Sequence, residues 1–316
     1  MATPVQYQVL LNRLRYKHLV MLVTLGNNLN MHRASEALNM SQPAATKMLK
    51  EIEAAFGCAL FERLNRGMRP TAIGEEVLKF ARQSLSALER CAEDVASFRE
   101  GGYGHLSIGT VMGAAPGLVA ESIAEIKRHK PMLNIRIMGD TSDQLLELLQ
   151  QGKIDMAIGR RASFGARIPC TFEPLSNEKL IAVTRAGHPF ESQPPASMTE
   201  LVNQWPWILQ TRTSPARQAV ENHFRELNLP SPADITECGS VFAMLQLVQL
   251  TDAVMVLSES VLKDYLEMEL LRPVPLHFAP HLEPFGILLR EGDTLRREQQ
   301  DFIELLRERA QGSPIT

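Results

Sequence analysis

Residues 31–71 read MHRASEALNMSQPAATKMLKEIEAAFGCALFERLNRGMRPT, and this stretch decides the architecture of the chain's first part. Asn30 is placed to cap a helix over Met31–Leu38, with Ala34, Ala37 and Leu38 facing inward. Asn39-Met40 forms a turn. Ser41 caps a further helix, and Pro43 falls in its first turn, where a missing N–H costs nothing. Along that helix Ala45, Leu49, Ile52 and Phe56 make one apolar stripe, while Gln42, Thr46, Lys47 and Lys50 lie opposite. Upstream, Leu19, Leu22, Val23 and Leu25 form the apolar side of a first helix. Two short helices joined by a tight turn, the second bearing a polar and basic face, predict a helix-turn-helix whose second helix fits a major groove.

The residues that follow strengthen this. Leu60–Arg63 reads as a strand, Asn65–Met68 as a turn, and Arg69-Pro70-Thr71 as the return into a helix. The hairpin carries Arg63, Arg66 and Arg69 beside the recognition helix, within reach of phosphates that position a protein without being read. Charge agrees: residues 1–71 hold 9 Lys+Arg against 4 Asp+Glu, residues 1–99 hold 13 against 9, and residues 100–316 hold 20 against 27. A basic head on an acidic body points to a polyanionic partner for the head alone.

Thr71–Arg99 is expected to be one long helix, roughly 43 Å at ~1.5 Å per residue. Val77, Ala81, Ser84, Leu88, Cys91, Val95 and Phe98 recur at spacings of four and three, a heptad seam suited to pairing with a second copy. Gly101-Gly102-Tyr103-Gly104 then reads as a hinge. Beyond it strands and helices alternate. Strands are expected at Leu106–Thr110, Asn134–Met138, Ile154–Ile158, Lys179–Thr184, Trp207–Gln210, Asp234–Cys238, Ala253–Leu257 and Pro284–Leu289. Helices are expected at Ala115–His129, Ser142–Gln151, Pro215–Leu227, Val241–Gln249 and Leu295–Arg309, with Gly159–Pro174 as a crossing stretch. That order implies parallel sheets with crossover helices.

Arg33–Lys47, followed by Leu49, Glu51-Ile52-Glu53, Phe56-Gly57 and Leu60–Arg63, resembles the LysR-type transcriptional regulators, as does the Thr71-Ala72-Ile73-Gly74 entry to the long helix. The likeness extends more weakly through Leu148–Gly159, with its Gly152-Lys153-Ile154-Asp155 turn, and through His188-Pro189. Gly152–Arg160 is similar to branches that control aromatic or sugar-acid catabolism. Ala45, Thr46-Lys47 and Thr251-Asp252-Ala253 depart from the family's common residues, the last replacing a Gly-x-Gly. The resemblance implies an α+β multidomain chain: a winged helix-turn-helix over 1–71, a linker and dimerisation helix with hinge over 72–103, and an effector-binding domain over 104–316. That last part would resemble periplasmic binding proteins, with lobe I at about 104–164 and 275–316 and lobe II at about 165–274. It further implies homo-oligomers, dimers or tetramers, on double-stranded promoter DNA, and adds Arg33, Ser41 and Pro43 to the contact set above.

An effector is expected between the lobes, at the carboxyl ends of the strands. The loop after Thr110, with Met112 and Gly113, and the loop Thr211-Arg212-Thr213-Ser214 each lead into a helix N-terminus that favours anions. Thr110, Thr141, Thr211, Arg212 and Ser214 would add donors, so a small organic acid is the expected ligand. Ordinary N-capping by Thr213 or Ser214 is the alternative role for those hydroxyls.

The function expected is therefore DNA-binding transcription regulation. A periplasmic-type solute-binding protein would share the lobes but not the basic head. An enzyme fused to a DNA-binding head would need a catalytic motif, and neither nucleophile elbow, zinc-protease, phosphate-loop nor dinucleotide signature occurs. His277 and His281, among Pro275, Pro280 and Pro284, are loop histidines and not a metal pair. Cys58, Cys91, Cys170 and Cys238 are scattered and read as packed thiols. No cofactor is called for. No run reaches the ~18–20 apolar residues of a membrane span, and no secretory signal precedes Tyr16, so the cytoplasm is the expected compartment.

Overall fold

The computed structural model describes residues 4–99, 104–161 and 170–312. The expected hinge at Gly101-Gly102-Tyr103 and much of the crossing stretch lie outside the described residues. The chain divides into two compact units, residues 1–105 with 147–154, and residues 106–146 with 155–316.

In the first unit α1 (Pro4–Arg13), α2 (Tyr16–Asn28), α3 (Met31–Ala37) and α4 (Gln42–Phe56) precede a hairpin, β1 (Phe61–Arg63) with β2 (Met68–Pro70), and α5 (Ala72–Arg99). α1 is not among the expected helices; it packs on α4. The Asn30 side chain accepts from His32 and Arg33 N–H groups, and Ser41 Oγ accepts from Ala44 N–H at 3.4 Å, so both caps are as expected. Asn39 takes φ 51°, the left-handed conformation that the turn requires. Leu22, Leu25, Ala34, Ala45, Leu49 and Ile52 form the core. Ala37 is exposed, contrary to expectation, and Ser35 is buried instead, because Met31, Ala34, Ser35 and Leu38 at spacings of three, four and seven form the inward face and Ala37 falls beside it.

Two motif residues have plain mechanical reasons. Thr71 Oγ1 accepts from the Gly74 N–H at 2.9 Å and donates to the Ala59 carbonyl at 3.0 Å, fastening the start of α5 to the hairpin. A Cβ on Gly74 would collide with the Leu60 carbonyl, so only glycine fits. Glu53 Oε1 accepts from the Leu60 and Phe61 N–H groups at 2.8 and 3.2 Å, tying α4 to the same hairpin.

The long helix departs from a uniform seam. Val77 and Ala81 are buried in the first unit's own core together with Leu78. Leu88 and Val95 are 46 % and 48 % exposed, and Phe80 beside them is 48 % exposed. The free apolar line thus runs through Phe80, Leu88, Cys91 and Val95; the Phe98 side chain lies outside the described residues.

Among the described residues the second unit holds two five-stranded sheets. Its elements in chain order are β3 (His105–Thr110), α6 (Ala120–His129), β4 (Asn134–Gly139), α7 (Ser142–Gln150), β5 (Met156–Arg160), β6 (Cys170–Ser176), β7 (Leu180–Arg185), α8 (Met198–Gln204), β8 (Trp207–Leu209), α9 (Pro215–Glu226), β9 (Ile235–Glu237), α10 (Val241–Leu250), β10 (Val254–Ser258), α11 (Glu259–Glu267), β11 (Leu271–Pro273), β12 (Phe285–Arg290) and α12 (Arg297–Gly312). One sheet has the order β4-β3-β5-β12-β6 and the other β11-β7-β10-β8-β9. Both are mixed, which corrects the parallel expectation. β3 runs parallel to β5, but β12 runs antiparallel to both β5 and β6. Likewise β8 is parallel to β10 and β9, while β7 is antiparallel to β10 and β11.

The lobe boundaries move as well. β6 belongs to the first sheet, so the chain leaves that lobe after Ser176 and not near residue 165. Val274, Phe278 and Leu282 pack in the second lobe's core beside Trp207 and Phe224, so the return falls after Leu282 and not at 275. β6 is not among the expected strands because Pro174 interrupts its pattern; an edge strand tolerates this, since its outer N–H groups need no partner. At Thr251-Asp252-Ala253, none of the three residues has a positive φ. Thr251 Oγ1 donates to the Leu247 carbonyl at 2.8 Å, closing α10 without the family's glycines.

Candidate DNA-reading face and effector cleft

On the first unit, α4 is held against α2 and α3 by its apolar stripe, which leaves Gln42, Lys47 and Lys50 exposed and Thr46 half-buried. Gln42 and Thr46 line one hollow with Arg63, between the start of α4 and the hairpin. Gly67 sets that distance: its φ of 91° turns the hairpin, and a Cβ there would strike the Leu29 carbonyl. Met68 N–H donates to the same carbonyl at 2.8 Å. Arg63, Arg66 and Arg33 are exposed. Arg69 is exposed too, but it donates to Glu62 Oε2 at 2.9 Å, and Lys47 stands 4.0 Å from Glu51. Ser41 and Pro43 serve the α4 start, the first as its cap.

On the second unit, a cleft of about 470 Å³ opens where strand ends from both sheets meet. Thr110, Met112, Gly113, Thr141, Thr211 and Ser214 all line it, so six of the expected effector residues come together. Arg212 does not: its side chain is 79 % exposed and stands 3.9 Å from Glu237. The loop after β3 also differs from expectation. It forms a 3-10 turn over Met112–Ala114 and a π turn over Ala115–Val119 before α6 begins at Ala120. Ser214 occupies the N-cap position of α9 without a capping hydrogen bond. Its hydroxyl instead pairs with Gln210 Oε1, and Gln210 Nε2 reaches Met112 Sδ at 3.6 Å across the cleft. The first-turn N–H groups of α9 are therefore not spent on a side-chain cap.

Sequence reasoning missed the charged groups. Arg160 ends β5 and is 7 % exposed. Its backbone N–H donates to Ser142 Oγ at 2.9 Å, its Nε donates to the Glu283 carbonyl at 3.0 Å, and its guanidinium pairs with Glu178. Burial pulls the guanidinium pKa down to about 10, which still leaves it charged at neutral pH. The signal was available, because the carboxyl end of a parallel strand is where α/β sheets bind ligands. Asp140, Thr213, Gln210 and Ser258 add to the polar lining. Among the described residues no cluster of metal-ligating side chains occurs, and no helix is long and apolar enough to cross a membrane.

Comparison with known proteins follows the same division. Residues 16–75 match the bacterial regulatory helix-turn-helix of the lysR family, and residues 99–311 match the LysR substrate binding domain. The chain is 36 % identical over 276 residues to the transcriptional regulator GbpR of Azospirillum brasilense, covering 87 % of this chain and 80 % of that one. In fold it is similar to ArgP from Mycobacterium tuberculosis, with a TM-score of 0.64 at 14 % identity over 93 % of this chain and 97 % of that one. It is also similar to full-length CbnR, solved with its target DNA, with a TM-score of 0.62 at 19 % identity over 94 % and 100 % of the two chains.

Proposed function

This chain belongs to the LysR family of bacterial transcriptional regulators, and from that premise we propose a cytoplasmic homo-oligomer whose grip on promoter DNA is set by a small organic acid in the 470 Å³ cleft. Residues 1–71 act as the reading head, 72–103 as the linker, and the chain from 104 onward as the effector-binding part. Gln42, Thr46, Lys47 and Lys50 meet base edges, while Arg63 and Arg66 hold phosphates. Arg69 contributes less, because Glu62 already pairs with it.

The observation that carries the effector reading is the convergence of hydroxyls from three loops on one cavity around a buried guanidinium. Its volume falls in the usual range for small-ligand sites. Fluorescence anisotropy of the full chain on its own upstream DNA tests the whole scheme. Affinity is expected to fall steeply with salt, as counterion release demands, and to change when an acid found by thermal-shift screening is added. At about 100 times its dissociation constant such an acid adds about 2.7 kcal/mol of stability, which the screen can see. Binding that is indifferent to salt would remove the DNA reading, and indifference to every stabilising acid would remove the effector reading.

A further inference from the structure

Two cavities of the second unit adjoin, sharing Gly113, Glu178 and Ser258 in their linings. Glu178, in the connector between β6 and β7, lines both the 470 Å³ cleft and a neighbouring cavity of about 550 Å³. Its side chain is 7 % exposed and that of Arg160, its partner, is 8 % exposed. Arg160 is tethered from its own side by Ser142 and the Glu283 carbonyl. Glu178 Oε2 is buried and makes no further hydrogen bond. A buried guanidinium that stays charged requires an anion beside it, since one left alone in a low-dielectric interior is strongly unfavourable. Here that anion comes from the chain itself.

The second cavity offers Glu178 another place. Lys179, Lys263 and Arg309 line it beside Glu121, Glu259 and Glu267, so its charges balance before Glu178 is counted; Arg309 donates to Glu121 Oε2 at 2.6 Å, and its Nε is buried without a hydrogen-bond partner. Meanwhile the charged groups of the cleft are Arg160 against Glu178 and Asp140. With that balance an acid entering the cleft meets repulsion until one carboxylate leaves.

We propose that Glu178 is an internal stand-in for the effector: a carboxylate ligand takes Arg160 from it, and Glu178 turns into the second cavity toward Arg309 and Lys263. This rests on the reading of the cleft as the effector site and fixes the ligand class as a carboxylic acid. The exchange makes acid binding depend on a rearrangement, which supplies the unequal affinity for two states that a regulatory ligand must have.

Acetate serves as the probe, on the full chain, with neither DNA nor effector needed. Glu178→Gln leaves Arg160 without its anion and opens the place for another. The melting temperature of E178Q is expected to rise in sodium acetate over sodium chloride at equal ionic strength, by roughly 2–4 °C near saturation. The unmodified chain should show a smaller rise, because acetate must first displace Glu178, and the Arg160→Gln/Glu178→Gln double variant should show none. Equal acetate response in E178Q and the double variant would overturn the proposal. If E178Q does not fold in chloride, Glu178→Asp, whose shorter carboxylate withdraws from Arg160, must show the same acetate dependence or the proposal fails. Acetate rescue together with promoter binding blind to organic acids would uphold the exchange and sink the regulatory reading, so the two fail separately.

Discussion

The Gln42 side chain and the Arg66 side chain are both exposed polar groups on one small unit, yet they are expected to fail differently when removed. Gln42 lies on the first turn of α4 beside Thr46, where an amide can pair with an adenine edge. Gln42→Ala should change which duplexes are preferred, costing about 1–3 kcal/mol on the best site and little on others. Arg66 sits at the hairpin tip, so Arg66→Ala should weaken all sequences alike and lower the salt slope by about one unit. Arg69→Ala should do less, because Glu62 already neutralises Arg69. Anisotropy titrations of the three variants on a duplex panel at several salt concentrations separate these outcomes. A Gln42 variant with unchanged preference would mean that α4 is not the reading helix.

Helix α5 shows how an element can serve two partners along one length. Its first turns bury Val77, Leu78 and Ala81 in the head, while Phe80 among them and Leu88 and Val95 further along remain exposed. Each large apolar side chain removed from water contributes about 1.5–3 kcal/mol, so a second α5 is the natural cover for that line. Leu88→Asp with Val95→Asp should lower the oligomeric state in sedimentation and weaken promoter binding. An unchanged oligomer would move the interface off this helix. The turn before α8 carries a different kind of load. His188 Nδ1 accepts from Phe190 N–H at 3.1 Å, so its Nε2 holds the proton and donates to the Asp252 carbonyl at 3.1 Å. Burial lowers the His188 pKa from 6.5, and burial lowers those of His18 and His223 in the same direction. The unfolded chain therefore takes up protons first as pH falls through about 6.5, and stability present above that pH is lost below it. Each such histidine contributes at most about 1.4 kcal/mol per pH unit. Urea melts between pH 8 and 5 should show the decline, and His188→Gln should flatten it while lowering stability at pH 8.

At the scale of the molecule, the cleft and the reading face belong to different units, so their residues should be separable by mutation. Thr110→Val or Ser214→Ala should weaken binding of the screened acid by about ten- to a hundredfold, as loss of a charge-assisted hydrogen bond implies. Promoter affinity without the acid should stay within about twofold, while the acid's effect on it moves to higher concentration. Calorimetry on the full chain beside anisotropy decides this, and acid affinity unchanged in both variants would put the site elsewhere. The sequence by itself determined what depends on near neighbours. Caps at Asn30 and Ser41, the apolar stripe of α4, the Thr71–Gly74 helix start, the strand-helix alternation and the loops at Thr110 and Ser214 are all set by residues within a turn or two of one another. Only the tertiary structure decided the rest. It turned β12 antiparallel beside β5 and placed β6 on an edge where Pro174 is harmless. It divided the α5 seam between core and surface, sent Arg212 outward, and brought Glu178 onto Arg160. Pairings between residues far apart in the chain leave no periodicity or spacing to read. They follow from which buried groups must find partners once the layers close, and a buried guanidinium takes whichever anion the fold delivers.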